Sequence, residues 1–523
     1  MVTLPPDTFL GAFGFTENPF LMTNADDEPD LQSYFVPPPY FASVLGDPKR
    51  AKSAVVFAPR GGGKTAQKVM IEKASNDPSA RPFLCITYDS FLLPEAFKLA
   101  AASSEWHLTN ICKLVSVALL VQVSSRDDED IQLSADQKNT LAKIAVTFLS
   151  QMTESEFRER ITSLRNWSGK VSHVWDKYGG KISNLLTAVA ARFNIGSLDK
   201  LAVREKLNRN TIVDYIKQLS SISKSLGFES IYILVDRVDE TALTSNNAKA
   251  AYEFIASLLT DLHVLELDGF AFKFFLWDQS KQFYVESGAR PDRVPIHQLE
   301  WTLSQLGQML ARRLSTFSRG SVSSLNELAS NAGKLNLHDL VCFFAFGSPR
   351  DMIRICQRLV DEQTRTNDQP GKIEPPIVER ALRNFSQERS EELYPAFISD
   401  IKKVGDATFT IAKISADVFR FTAQAGRNKV RNWQDAGAVF QSGELPSPGN
   451  RPSNLYSIRD PRLVLVAKGN KPLEEILLGC FGRCTNCGTI STTESDAINC
   501  SQCEQPLAAG DNLLEQLKIE VAS

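Results

Sequence analysis

The chain has 523 residues, 43% of them apolar and 23% charged, with a formal net charge of -3 at pH 7. That length exceeds what one hydrophobic core supports, and at roughly 100–200 residues per domain three or four units are expected. The near-balanced charge excludes a globally basic nucleic-acid binder, so any DNA contact has to come from a local patch.

The opening MVTLPPDTFL lacks a basic region followed by an apolar one, which argues against a targeting peptide. The longest apolar run, around Leu114 to Val123, reads as too short and too interrupted to span a bilayer, and a cytoplasmic location is expected. Residues 1–50 are rich in proline and aromatics without a clean period, and are expected to form an irregular clasp. The run SAVVFA then predicts a strand, followed by PRGGGKT and by KTAQKVMIEKAS, a helix ended at Asn76-Asp77-Pro78. FLCITYDS at 83–90, SIYILVDRVDE at 230–240 and FAFKFFLW at 270–277 predict further strands, and helical patterning fills most of the interval from about 92 to 229. Strands alternating with helices indicate an α/β fold with a parallel sheet covered on both faces, carrying a helical insertion. The expected divisions are a clasp at 1–50, a phosphate-loop core at 51–300 and a helical lid at 301–388. A winged-helix-like module at 389–472 follows, then a zinc ribbon with a terminal helix at 473–523.

The loop chemistry is specific. Ala58, four residues, then Gly63-Lys64-Thr65 follow the phosphate-loop spacing with alanine in place of the first glycine. Gly61, Gly62 and Gly63 let successive N–H groups point inward at phosphates, and Arg60 belongs to the same loop. Lys64 supplies a point charge to the β- and γ-phosphates, and the Thr65 hydroxyl a ligand for Mg2+. The buried strand of IYILVDRVDE ends at Asp236, placed to hold the magnesium through water. Asp239 and Glu240 follow three and four residues on, where either could polarise a water or cap the next helix.

The loop at 58–65, the strand ending in Asp236 with Asp239 and Glu240 beyond it, and FGFTENPF upstream resemble the AAA+/STAND class of P-loop ATPases, in the bacterial branch similar to origin-recognition ATPases. VPIHQLEWTLSQLGQMLARRL resembles the passage from the ATPase core into the lid, and FGSPRDMIRICQRLVDEQ the lid helix with a sensor arginine. The resemblance implies Arg350 as that sensor with Arg354 as its substitute, and Asp278 or Gln279 as the first sensor. It also implies Arg290 or Arg293 as a finger offered to a neighbouring subunit, hence a homo-oligomer. Arg237 stands where many members place a glutamate, so the catalytic carboxylate moves to Asp239 or Glu240 and slow turnover is expected.

Two CxxC pairs, Cys484/Cys487 and Cys500/Cys503, have the spacing of a zinc ribbon, whose two knuckles close a structural S4 site. Removal of that metal should melt the segment and leave the ATPase core alone. The isolated Cys85, Cys112, Cys342 and Cys356 read as buried apolar residues, and Cys480 as outside the site though able to substitute in it. Between 406 and 468 nine Lys/Arg stand against five Asp/Glu. Arg427, Lys429 and Arg431 on a candidate recognition helix, with Arg451, Arg459 and Arg462 near the wing, would contact duplex DNA.

Five scattered histidines offer no HxxE or HxH arrangement, and no nuclease, protease or deaminase constellation is present. The expected function is an ATP-dependent switch acting on DNA, in a prokaryotic defence or mobile-element system that regulates a separate effector protein. The alternative is a regulatory sensor whose insertion and ribbon bind proteins.

Overall fold

The computed structural model describes residues 4–77, 79–164, 177–178, 181–196, 207–245, 247–330, 335–367, 371–446, 452–494 and 498–507. Arg451, the terminal helix expected after the ribbon, and parts of the expected insertion lie outside the described residues. Internal contacts group the chain into two compact units. One comprises Ala25–Asp27 and Pro37–Glu300, the other Met1–Asn24, Glu28–Val36 and Trp301–Ser523.

In the first unit, four apolar runs become strands: β1 (Ala54–Ala58), β2 (Leu84–Tyr88), β3 (Ile231–Val235) and β4 (Phe270–Trp277). A fifth, β5 (Ile296–Gln298), falls in a segment whose sequence reads as the approach to the lid. Its three half-buried residues carry too short a pattern to announce a strand. All neighbouring pairs are parallel, in the order β2-β3-β4-β1-β5. Both faces are covered, which is why the runs show no polar alternation.

One face packs Val56, Cys85, Tyr232, Leu234, Ala271 and Phe275 against Ile71 of α1 (Lys64–Ser75). The other face shares a continuous core with helices inserted between β2 and β3. These are α2 (Ser104–Ser124), α3 (Ala135–Leu149), α4 (Glu154–Thr162), α5 (Ile182–Arg192) and α6 (Arg209–Ser225). Helix α7 (Ala248–Leu259) lies between β3 and β4.

Here the reading of the Leu114–Val123 run is corrected. It belongs to a 21-residue helix that by length and composition alone is long enough to cross a membrane, with 89% of its most apolar window buried inside the protein. Helix α2 is apolar nearly all round because α3, α5, α6 and β2 surround it.

In the second unit the N-terminal strap packs on α8 (Leu303–Phe317), whose buried Arg313 pairs with Glu28 at 2.8 Å and lies over Tyr34, 4.8 Å from its ring centroid. The helices α9 (Leu337–Ala345), α10 (Pro349–Thr366) and α11 (Pro375–Leu393) follow. Next come α12 (Ile398–Val404), β6 (Thr408–Thr410), a helical turn over Ile411–Val418, α13 (Ala423–Asp435), and the strands β7 (Val439–Leu445) and β8 (Ser453–Ile458). The antiparallel order β6-β8-β7 and this succession make a winged helix. At Gly426 a Cβ would lie 2.2 Å from Ser415 Oγ and 3.1 Å from Ile411 Cγ2, so a larger residue would force the Ser415 side chain to move and press on Ile411. Helices α14 (Pro461–Ala467) and α15 (Leu473–Cys480) lead to the ribbon hairpin, β9 (Phe481–Arg483) and β10 (Ile490–Thr492).

Sequence pattern did not single out Lys273, which lies within β4 with 1% of its surface exposed. Its ammonium donates to Lys52 O at 2.6 Å and sits 4.7 Å from the Tyr232 ring centroid. Burial lowers its pKa to about 7. An unfolded lysine keeps its proton to about pH 10.4, so stability rises with pH above 7 as the folded state sheds that proton first. Lys273→Met is therefore expected to raise the melting temperature at pH 6.5 by roughly 2–8 °C and to flatten its rise between pH 7 and 9, read by calorimetry.

Candidate functional site

The strand register brings Tyr88 beside Val235, Val235 beside Phe274, and Ala58 beside Trp277, so the residues that follow emerge along one edge. Three of them are Asp89, Asp236 and Asp278, and the fourth segment is the glycine loop. Ligands of open parallel sheets bind at this carboxyl edge.

Within the loop Gly61 and Gly63 have φ of 76° and 95°, the left-handed region, and α1 starts at Lys64 immediately afterwards. Lys64 Nζ donates to Ala58 O at 3.1 Å. Burial lowers its pKa, against the attraction of Asp239, Asp236 and Asp278. The Thr65 hydroxyl donates to Asp236 Oδ2 at 3.1 Å. Burial pushes the Asp236 carboxyl up, opposed by Lys68 and Lys64. A hydroxyl and a buried carboxylate meeting beside a phosphate loop form a hard-oxygen pair that suits Mg2+. Asp278 follows β4 directly; burial raises its pKa while Lys64 lowers it, whereas Gln279 is exposed.

The two carboxylates left open by the sequence part company. Asp239 is 4% exposed and accepts from Arg60 Nε at 2.9 Å, while Arg60 Nη2 donates to its carbonyl at 3.0 Å. The guanidinium also lies 4.4 Å from the Trp277 ring centroid. Glu240 turns the other way, with its side chain 62% exposed, into a cavity of about 490 Å³ lined also by Asp89, Ser90, Glu159 and Arg237. Two residues before Asp239, Arg237 adopts φ 57°, a left-handed conformation rare for a residue with a Cβ.

The other arginines fall into two groups. Arg354 is held by Glu392 at 2.8 and 3.0 Å, Arg293 by Glu266 at 2.7 and 2.5 Å, and Arg290 by Asp292 at 3.0 and 2.8 Å. Arg350 is exposed in the first turn of α10, in the second unit, and makes no ion pair among the described residues.

On the winged helix, Arg427 and Arg431 are exposed on α13. Two expected phosphate contacts are corrected. Lys429 is drawn inward by Asp400 and lies 4.8 Å from the Phe419 ring centroid, so its charge is committed internally. Arg462 is buried, bound to Asp351 at 2.5 Å and to Asp460 at 2.8 Å. Arg459 lies 5.3 Å from the Phe440 ring centroid.

The sulfurs of Cys484, Cys487, Cys500 and Cys503 lie within 4.8 Å of one another, a closed set of four soft ligands that suits a tetrahedral Zn2+. Hydrogen bonds from Thr489 bring the Cys487 thiol down to about 6, favouring the thiolate a metal needs. Cys480 instead donates to Glu494 Oε1 at 3.5 Å.

The ribbon is stapled to the winged helix, a feature with no local sequence signal. Glu494 accepts from the amides of Ala407 at 2.6 Å and Thr408 at 3.1 Å, and it pairs with Lys468. Asn499 N donates to Ser442 O at 2.7 Å, and Thr492 Oγ1 to Ile458 O at 2.7 Å.

No family model and no curated protein matches the chain. Among solved structures it is similar to the Aeropyrum pernix ORC1 protein in complex with DNA, at 12% identity and a TM-score of 0.34, over 88% of this chain and 97% of that one. It is also similar to the Aeropyrum pernix ORC2 protein in ADPNP–ADP complexes, at 10% identity and a TM-score of 0.38, over 84% and 97%. A third is CDC6P from Pyrobaculum aerophilum, at 12% identity and a TM-score of 0.32, over 91% and 97%. The fold assignment rests on strand order, the glycine loop and the winged-helix succession.

The staple changes what metal removal should do. Chelation is expected to melt the ribbon and also to release the β6 end of the winged helix. Hydrogen exchange checks this: the Ala407 and Thr408 amides should lose protection in the chelated protein, and unchanged protection would mean that Glu494 holds without the metal.

Proposed function

We propose that the protein is an ATP-binding and ATP-hydrolysing switch that acts on duplex DNA. The observation that carries this reading is the 3.1 Å hydrogen bond between Thr65 and Asp236, which joins the glycine loop to the carboxylate of β3 beside the buried Lys64. In this reading the N–H groups of Gly61–Gly63 and the ammonium of Lys64 hold the phosphates, and Thr65 and Asp236 hold Mg2+. Held by Thr65 and Asp236, such a metal would supply charge neutralisation at the phosphates.

Asp239 orients the attacking water, and its pairing with Arg60 keeps turnover slow until that pair opens. Asp278 senses the phosphate through Lys64's neighbourhood. Arg350 is the sensor arginine that the motif resemblance assigns to the lid helix, and Arg293 the finger offered within a homo-oligomer.

Arg427 and Arg431 meet the DNA backbone. The four cysteines hold a structural Zn2+. The motif resemblance adds the setting, a cytoplasmic prokaryotic defence or mobile-element system whose effector is a separate polypeptide.

Two measurements test the reading. Steady-state ATP hydrolysis should vanish in Lys64→Ala, fall at least about a hundredfold in Asp239→Asn, and rise when duplex DNA is added. Turnover that survives Lys64→Ala would sink the nucleotide assignment. Duplex affinity should fall steeply with salt, and the double change Arg427→Glu/Arg431→Glu should flatten that dependence by about two phosphate contacts. Absence of binding at low salt would instead favour the protein-binding sensor.

A further inference from the structure

One turn beyond Lys64 on α1, Lys68 is fully buried. Its ammonium lies 3.1 Å from Asp26 Oδ1, 3.3 Å from Asp89 Oδ2 and 3.9 Å from Asp236 Oδ2. Arg237 Nη2 closes the group by pairing with Asp26 Oδ2 at 2.5 Å. Three carboxylates, those of Asp26, Asp89 and Asp236, thus share the one ammonium. Asp26 arrives on the short turn Ala25–Asp27, which packs on α1 as part of the sheet unit.

The oxygen approached by Lys68 is the same Asp236 Oδ2 that Thr65 bonds. A divalent cation taken by Thr65 and Asp236 therefore competes with the ammonium for one oxygen, and two cations at such spacing in a dry site repel strongly. The ammonium already sits nearer to Asp26 than to Asp236.

We infer that Lys68 is the resident counter-ion of the metal-holding carboxylate Asp236, and that Asp26 is a positioning residue that draws the ammonium aside so that Asp236 can take the metal. The assignment rests on the nucleotide-and-magnesium reading above. It makes residues 25–27 a determinant of metal affinity without any contact to the nucleotide.

The test is a Mg2+ titration of the full-length protein, read by binding of a fluorescent ADP analogue and in parallel by melting temperature. Asp26→Asn should raise the Mg2+ midpoint about tenfold while leaving metal-free ADP affinity within about twofold. Adding Lys68→Met to Asp26→Asn should return the midpoint to near the wild-type value, a rescue that a merely structural role for Asp26 would not produce. An unshifted midpoint in folded Asp26→Asn, or no rescue in the double variant, overturns the assignment while leaving the nucleotide reading intact. A wild-type protein that binds the analogue with no response to Mg2+ overturns both. Should Asp26→Asn fail to fold by circular dichroism, Lys68→Met alone decides: a lowered Mg2+ midpoint supports the counter-ion role, and an unchanged or raised one refutes it.

Discussion

A parallel sheet buried on both faces delivers every strand end to one edge, and here three consecutive ends in the sheet order, after β2, β3 and β4, carry aspartates. Such carboxylates cannot be left uncompensated away from water. The protein answers with three cations that share these acids between them. Lys64 stands among Asp236, Asp239 and Asp278, Lys68 joins Asp26, Asp89 and Asp236, and Arg60 closes on Asp239. The arrangement offsets much of the carboxylates' charge, and it leaves Asp236 Oδ2 shared between the Thr65 hydroxyl and the Lys68 ammonium. Arg237, in its left-handed conformation, adds a further cation by reaching Asp26.

The C-terminal unit solves a related problem. Asp351, 1% exposed in side chain on α10, receives Arg389 of α11 at 2.9 Å and Arg462 of α14 at 2.5 Å, and Arg462 in turn binds Asp460. Removing one member of such a buried network strands its partners' charge, at a cost of about 3–5 kcal/mol. The lid helices and the helix that closes the winged module are thereby tied as one body. The ribbon adds a second tie through Glu494 and Asn499. The winged helix is thus held from both sides, by ion pairs behind it and by the cysteine hairpin at its sheet edge.

How far this could be read from the chain depends on the range of the interaction concerned. The four long strands announce themselves because burial on both faces forces unbroken apolar runs, and the glycine loop and Asp236 carry their chemistry in adjacent residues. The cysteine spacing is similarly local. β5 is too short for any period. Arg60 and Asp239 stand 179 positions apart and Lys68 and Asp236 168, so neither partnership leaves a mark on the local pattern. Counting Lys and Arg near the winged helix could not separate Arg427 and Arg431, which face solvent, from Lys429 and Arg462, whose partners lie on other elements. Glu494 carries no local signal, because its role is to satisfy amides 86 and 87 residues away.

The strand order also governs how the chain can be made. β1, near residue 55, finds its neighbours only in β4 and β5, more than 200 residues later. Throughout synthesis of the intervening segment, β1 and the glycine loop have no sheet to join, while the apolar helix α2 has already left the ribosome. Loop closure over that span is slow, and an unpaired apolar strand beside an apolar helix invites association with other nascent chains. The architecture that gathers three carboxylates at one edge therefore leaves β1 without its sheet neighbours until the chain through Gln298 has been made.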